Sequence, residues 1–155
     1  MEKKKDVIAN IIFILLFICI YFILTNTEYI YGSVTDFKTQ HYLIPEYFRN
    51  LFYTTHDLLP DFAFNLGGGQ NIYYFSYYGL LNPIILLSYF FPFIKMMNYM
   101  IFTNCLIVLI STSLFYFYLK SNNYCFKTRF ICSILFLLSG PLIFHSHRHV
   151  MFINY

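Results

Sequence analysis

The sequence predicts an all-α, polytopic transmembrane protein, and three observations support that prediction. Hydrophobic residues make up 59% of the chain and charged residues only 11%, whereas soluble domains carry roughly 25% charged residues. Apolar runs long enough to cross a bilayer recur along the chain. The basic residues collect beside those runs, at Lys3, Lys4, Lys5, Lys120, Lys127 and Arg129. With the net charge of +3 arranged in this way, nucleic-acid binding is not supported.

The first predicted crossing is residues 7–25. Val7 to Leu24 is a run of 18 residues interrupted only by Asn10, and as a helix it would extend roughly 27 Å at ~1.5 Å per residue. A cleaved signal peptide would have an apolar region of ~7–15 residues that ends in small residues. This run ends in Tyr-Phe-Ile-Leu-Thr-Asn instead. We therefore predict a membrane anchor, preceded by a charged tail over residues 1–6.

Residues 26–79 are predicted to form a long first outer loop, because they are too polar and too punctuated to cross a bilayer. The stretch from 36 to 53 has an apolar side, so we predict amphipathic helices that lie on the membrane surface and are broken at Pro45. That apolar side consists of Phe37, Ile44, Phe48 and Leu51. Three glycines at 67–69 predict a turn, and the missing Gly-Lys-Ser/Thr sequence excludes a P-loop.

Residues 80–94 are apolar but are predicted not to cross the membrane. Pro83 and Pro92 leave too few residues between them for a ~30 Å hydrocarbon core. A crossing here would also place the basic residues after Leu119 on the outer side, against the positive-inside rule. The sequence therefore predicts a re-entrant or interfacial segment.

Two further crossings complete the predicted topology. Residues 96–119 return the chain to the cytoplasm, residues 120–129 form a basic cytoplasmic loop, and residues 130–144 cross outward again. The N-terminus is then cytoplasmic. Because the chain stops at Tyr155, in what reads as the start of another apolar segment, we expect it to be an N-terminal piece of a longer transmembrane domain.

Asp36 and Gln40 are the first candidate site residues. If Ser33 begins a helix, Asp36 and Gln40 lie one turn apart on one face. A carboxylate beside an amide at the mouth of a membrane protein suits the handling of a lipid-linked polar head group. Ser33-Val-Thr-Asp36 also matches a capping box, in which the hydroxyl and the carboxylate satisfy free N–H groups at a helix start. The two interpretations are compatible, and both stay open.

A second set of candidates lies in His145-Ser-His-Arg-His149, outside the membrane on this topology. His145 and His149 are one helical turn apart, but no third ligand is evident, so we do not predict a zinc site. Arg148 could donate a fork of hydrogen bonds to a phosphate or pyrophosphate group, with His145 and His149 beside it. A plain interfacial helix cap is the alternative.

The four cysteines show neither a disulfide framework nor metal-ligand spacing. Cys19, Cys105, Cys125 and Cys132 lie within apolar runs or in the basic loop. Because the long outer loop has none, we interpret all four as small core residues.

Several short motifs follow one another in a recognisable order. Asp36-Phe-Lys-Thr-Gln40 comes first, with Pro45 downstream, and Phe64-Asn-Leu-Gly-Gly-Gly-Gln-Asn71 follows. Next come Tyr77-Tyr78 with Asn82-Pro83, and finally Leu138-Ser-Gly140 with His149-Val-Met-Phe-Ile-Asn154. The series covers nearly the whole chain and resembles the start of the YfhO family of bacterial membrane proteins. That family looks like the GT-C glycosyltransferases, which are polytopic and take sugars from polyprenyl-phosphate carriers on the outer membrane face.

The resemblance implies a multi-pass enzyme of the bacterial plasma membrane. It would move a sugar from a polyprenyl-phosphate carrier to a cell-wall or surface polymer such as teichoic acid, with membrane lipid around it. In GT-C enzymes an acidic residue early in the first outer loop is catalytic, and that role maps by position onto Asp36. Asp36 would act as the base, or as a ligand of a divalent metal in metal-dependent relatives. The alternative is a non-catalytic transport or flippase-type component for the same lipid-linked sugars.

Overall fold

The computed structural model describes residues 2–26 and 36–140, which are mainly helical. The α-helices and the strands are α1 (Glu2–Asn26), α2 (Leu43–Thr55), β1 (Phe62–Ala63), β2 (Gln70–Asn71), α3 (Pro83–Leu87), α4 (Met96–Ser121) and α5 (Phe126–Leu137). A π-helical turn spans Phe37–His41, and 3₁₀ turns span Ile72–Tyr78 and Ser88–Phe90. By length and composition, two helical segments could cross a membrane, Lys3–Ile23 and Met96–Ser121. The all-α prediction is confirmed, whereas a third crossing stays a prediction.

The described residues form two compact units, 2–26 with 101–140, and 36–100. In the first unit, α1 packs against residues of α4 and α5. Its core consists of Ala9, Phe13 and Tyr116. The ring of Phe13 lies edge-on to Tyr116 at 5.8 Å and stacks on Phe130 at 6.0 Å. These aromatic contacts hold the three helices together along their length.

Most of the apolar surface of α1 remains uncovered. Its exposed side chains include Ile8, Ile11, Leu15, Ile18 and Phe22. A helix that is apolar on every side is either buried in a large protein or in contact with lipid. Only 17% of the apolar window of this helix is buried, which favours a membrane span over a soluble core helix.

Two helix boundaries differ from the prediction. The charged residues at the N-terminus are the first turns of α1, which begins at Glu2, so the described part of the predicted tail is helical. α5 begins at Phe126 rather than at residue 130, after a reversal at Asn123 with a φ of 61°. Its 12 residues extend about 18 Å, which is shorter than a ~30 Å hydrocarbon core. Residues 141–144 of the predicted crossing lie outside the described residues.

The second unit has its own apolar core. Ile44, Phe48, Ala63, Ile72, Tyr78 and Leu80 form it, and Leu51 packs against it. The apolar side predicted to rest on the membrane therefore covers this core instead. The predicted break also moves, because α2 begins at Leu43 and includes Pro45 in its first turn. Proline is tolerated there since a first-turn N–H has no partner within the helix.

A small hairpin departs from the all-helical pattern. β1 and β2 pair antiparallel, with Ala63 opposite Gln70. The predicted glycine turn joins them and is confirmed, with φ values of 57° at Gly67 and 96° at Gly69. A Cβ atom on Gly67 would lie 2.0 Å from Nε2 of Gln70, which donates a hydrogen bond to the Gly67 carbonyl. The positive φ favours glycine here, and a Cβ atom would in addition require the Gln70 side chain to move.

The segment 80–94 contains only short helical pieces. The Asn82 side chain accepts a hydrogen bond of 2.8 Å from the Ile84 N–H, and Pro83 occupies the first turn of α3. This arrangement is a typical helix start. α3 ends after five residues and continues only into the turn Ser88–Phe90. That the segment does not cross the membrane stays a prediction.

Candidate functional site

Asp36 and Gln40 lie at the start of the second unit. Asp36 directly precedes the π-helical turn Phe37–His41, whose first and last side chains are buried, while Asp36 and Gln40 are exposed. The Asp36 side chain makes no hydrogen bond that caps this turn. Ser33 lies outside the described residues, so the capping box itself stays a prediction. The turn therefore presents a carboxylate and an amide to the outside of the unit.

Tyr78 connects these two residues. Its hydroxyl donates a hydrogen bond to Oε1 of Gln40, 38 positions away in the sequence. Burial is the main effect that raises the pKa of Tyr78 to about 12, and a hydrogen bond with Tyr77, the Tyr77 charge and the charge of Asp36 raise it further. The hydroxyl is therefore protonated at physiological pH and acts as a constant donor. Gln40 contacts the Tyr78 hydroxyl directly, whereas Asp36 acts on it only through its charge.

Aromatic rings support this arrangement from the inner side. The Tyr77 and Tyr78 ring centroids are 4.2 Å apart, and the buried His41 ring lies 6.2 Å from that of Tyr78. Because the Gln40 oxygen accepts from Tyr78, both N–H bonds of its Nε2 can donate to a ligand. The exposed carboxylate of Asp36 can accept a proton or a hydrogen bond. Together these groups can bind and deprotonate a hydroxyl group.

The sequence analysis gave Tyr78 no role at the site. It belongs to the Tyr77-Tyr78 motif and to a cluster with Tyr73 and Tyr74 that is typical of a membrane–water interface, and neither says anything about a partner. The hydrogen bond to Gln40 depends on folding of the whole unit, since no periodicity joins positions 40 and 78.

Arg49 is a second residue that the sequence analysis missed. It lies on α2 and is 3% exposed. Its Nη2 is 4.0 Å from Oε1 of Glu46, which is beyond hydrogen-bonding distance. Its Nη1 has no hydrogen-bond acceptor among the described residues. The charge of Arg49 opposes the effect of burial on Tyr89, whose pKa is nevertheless raised to about 12.

The first unit contains a buried ionic cluster around Asp6. Its carboxylate accepts hydrogen bonds from the Tyr116 hydroxyl at 2.7 Å, from Nζ of Lys120 at 2.5 Å and from Nη2 of Arg129 at 3.1 Å. The Arg129 guanidinium also lies over the Tyr116 ring at 5.3 Å from its centroid. The cluster thus joins the start of α1 to the end of α4 and to α5. It is an anchor between helices at the end that we predict to be cytoplasmic.

The remaining candidates cannot be placed. His145, Arg148 and His149 all lie outside the described residues, so their role at a phosphate group stays a prediction. Within 2–26 and 36–140, no three His, Cys, Asp or Glu side chains come together as metal ligands. A divalent metal at Asp36 would thus need ligands from elsewhere.

Comparison with known proteins adds nothing to the class of protein that the fold defines. No protein-family model, curated protein or solved structure matches the chain. Residues 2–26 and 36–140 are mainly helical and include two helices that are long and apolar enough to cross a membrane. The resemblance to the YfhO family therefore rests on the ordered motifs alone.

Proposed function

We propose that the chain is part of a GT-C-like membrane glycosyltransferase that resembles the YfhO family. It would transfer a sugar from a polyprenyl-phosphate carrier to a cell-wall or surface polymer at the outer face of the bacterial plasma membrane. The observation that supports this best is the hydrogen bond from the Tyr78 hydroxyl to Gln40, which lies four residues after the exposed Asp36. An exposed carboxylate beside an oriented amide is suited to act on a hydroxyl acceptor.

The transfer needs a base. As an acceptor hydroxyl oxygen attacks the anomeric carbon, Asp36 takes its proton, and the bond from that carbon to the phosphate oxygen breaks. The polyprenyl phosphate leaves with the electron pair. The Nε2 of Gln40 donates to the acceptor or to the sugar and orients it, because Tyr78 fixes the opposite end of the amide. Where a relative uses a divalent metal, Asp36 would serve as one ligand of that metal.

The test is the substitution Asp36→Asn in the full-length protein. It keeps the size of the side chain but removes its charge and basicity. Loss of one acid–base group lowers rates by ~10²–10⁴-fold, so glycosylation of the polymer should nearly disappear while the amount of protein in the membrane stays normal. The measurement is polymer glycosylation in a deletion strain complemented with each variant.

Asp57→Asn is the matched control. Asp57 is exposed in the same unit, and its Oδ1 accepts only a local hydrogen bond from the Leu59 N–H at 2.9 Å. The strain that carries Asp57→Asn should glycosylate the polymer as the wild type does. If Asp36→Asn keeps full activity and Asp57→Asn loses it, the base is Asp57. If both keep it, a non-catalytic transport component for lipid-linked sugars becomes the better proposal.

A further inference from the structure

Arg49 is a buried cation whose hydrogen bonds are incomplete among the described residues. It is 3% exposed, and Glu46 is 4.0 Å away on the same helix. The distance to Glu46 is too long for a hydrogen bond, and Nη1 has no acceptor among the described residues. A charge removed from water is costly unless it is paired and hydrogen-bonded. The guanidinium of Arg49 therefore has a donor available for a further acceptor.

Tyr89 offers a second donor at the same place. It is 8% exposed, and it contacts Phe52, which lies one helical turn after Arg49 on α2. Its backbone carbonyl accepts from the Tyr53 hydroxyl, and its ring packs 5.0 Å from that of Phe52. The side chain is therefore held by its neighbours. The guanidinium of Arg49 presents donors only, and the Tyr89 hydroxyl can also donate, so a ligand that binds here would be an acceptor with negative charge.

Glu46 indicates how such a ligand could enter. Its side chain is 34% exposed, whereas that of Arg49 is 4% exposed. The carboxylate lies on the solvent side of the guanidinium and does not make the bidentate pair that arginine forms with a well-placed oxyanion. A separate oxyanion with more oxygens and higher charge would displace it. Phosphate has this chemistry.

We propose that Arg49 and Tyr89 form a binding site for a phosphate group, which displaces Glu46 from the guanidinium. The phosphate is either inorganic or the head group of a lipid. The exposed Leu87, Phe90 and Phe93 flank Tyr89 in the sequence and could contact a lipid chain. The site is distinct from Arg148 and does not require the transferase proposal, because it rests on Arg49 alone.

The test uses the full chain in maltoside detergent, which carries no phosphate. Thermal melting is followed while inorganic phosphate or farnesyl phosphate is added at constant ionic strength. A ligand that binds the folded state raises Tm with its concentration, which gives an apparent Kd. Arg49→Met should weaken that Kd by about 10- to 100-fold, as expected for loss of a charge-assisted hydrogen bond. The apparent Kd of Arg49→Lys should lie between those of the wild type and of Arg49→Met.

Two further variants make the result specific. Glu46→Gln leaves Arg49 in place but removes the competing carboxylate, so it should lower the apparent Kd. Lys95→Gln removes an exposed cation from the same unit and should match the wild type. A response to farnesyl phosphate alone identifies a lipid ligand, and an equal response to inorganic phosphate identifies the free anion.

Three outcomes would overturn the proposal. No rise in the Tm of the wild type with either probe would show that it binds no phosphate group. Equal shifts in the wild type and in Arg49→Met would show binding elsewhere. A large fall in the Tm of ligand-free Arg49→Met would show that Arg49 already has a structural partner, because removal of an unsatisfied buried charge should not destabilise the fold.

Discussion

Arg129 donates a hydrogen bond of 3.1 Å to Asp6, although 123 positions separate the two residues in the sequence. Asp6 belongs to the predicted N-terminal tail, and Arg129 to the predicted basic loop after α4. The sequence predicts both segments to be cytoplasmic from the distribution of Lys and Arg together with the number of crossings. Their contact puts them at the same end of the first unit, which agrees with a common side of the membrane.

Asp6→Asn should strongly destabilise the first unit. The substitution leaves Lys120 and the buried Arg129 without their carboxylate. Removal of one partner from a buried ion pair typically costs about 3–5 kcal/mol. Thermal melting of the purified protein in detergent measures the effect. Lys127→Gln is the control, because Lys127 is exposed in the same region and its loss should change stability by less than about 0.5 kcal/mol. Equal Tm values for Asp6→Asn and Lys127→Gln would show that Asp6 does not anchor the helices to one another.

Tyr78→Phe should impair transfer only through Gln40. The substitution removes the hydroxyl that orients the amide, at a stability cost of about 0.5–1.5 kcal/mol. Gln40→Ala should be milder than Asp36→Asn, because an amide positions a substrate but does not take its proton. In a Gln40→Ala background, Tyr78→Phe should add little to the loss of glycosylation. Fully additive losses in the double variant would show that Tyr78 acts independently of Gln40.

Labelling of cysteines tests the topology. Cys125 is an exposed thiol in the predicted cytoplasmic loop, so its interpretation as a core residue was wrong. Ser33→Cys introduces a second thiol, in the predicted outer loop. In a background without the other three cysteines, a membrane-impermeant maleimide should label the cysteine at position 33 on intact cells. It should label Cys125 only after the cells are permeabilised. Equal labelling of both positions on intact cells would contradict the predicted topology.

Cys125 should also be unusually reactive for an exposed thiol. A hydrogen bond with the Thr128 hydroxyl is the main effect that lowers its pKa, and their Sγ and Oγ1 atoms are 3.2 Å apart. A lower pKa means more thiolate at a given pH, and the thiolate is the form that reacts. Thr128→Val should therefore move the midpoint of the alkylation rate against pH upward in permeabilised cells. An unchanged midpoint would show that Thr128 has no such effect.

Some features of the fold were predictable because they depend on neighbouring residues. The two long helices follow from uninterrupted apolar runs, and the glycine turn follows from three residues that tolerate positive φ. The start of α5 was predicted too late. Basic and polar residues between 126 and 129 looked like a loop, yet they form a helical turn because Arg129 is neutralised by Asp6.

The sequence by itself determined the composition, the positions of the long helices and the candidates Asp36 and Gln40, because these depend on local pattern and residue type. Only the tertiary structure decided which side chains meet. The contacts of Tyr78 with Gln40 and of Arg129 with Asp6, and the burial of Arg49 on a helix that looked merely amphipathic, required folding of distant segments. Hydrogen bonds and ion pairs act over a few ångströms in space, and no periodicity in the sequence records distances between remote positions.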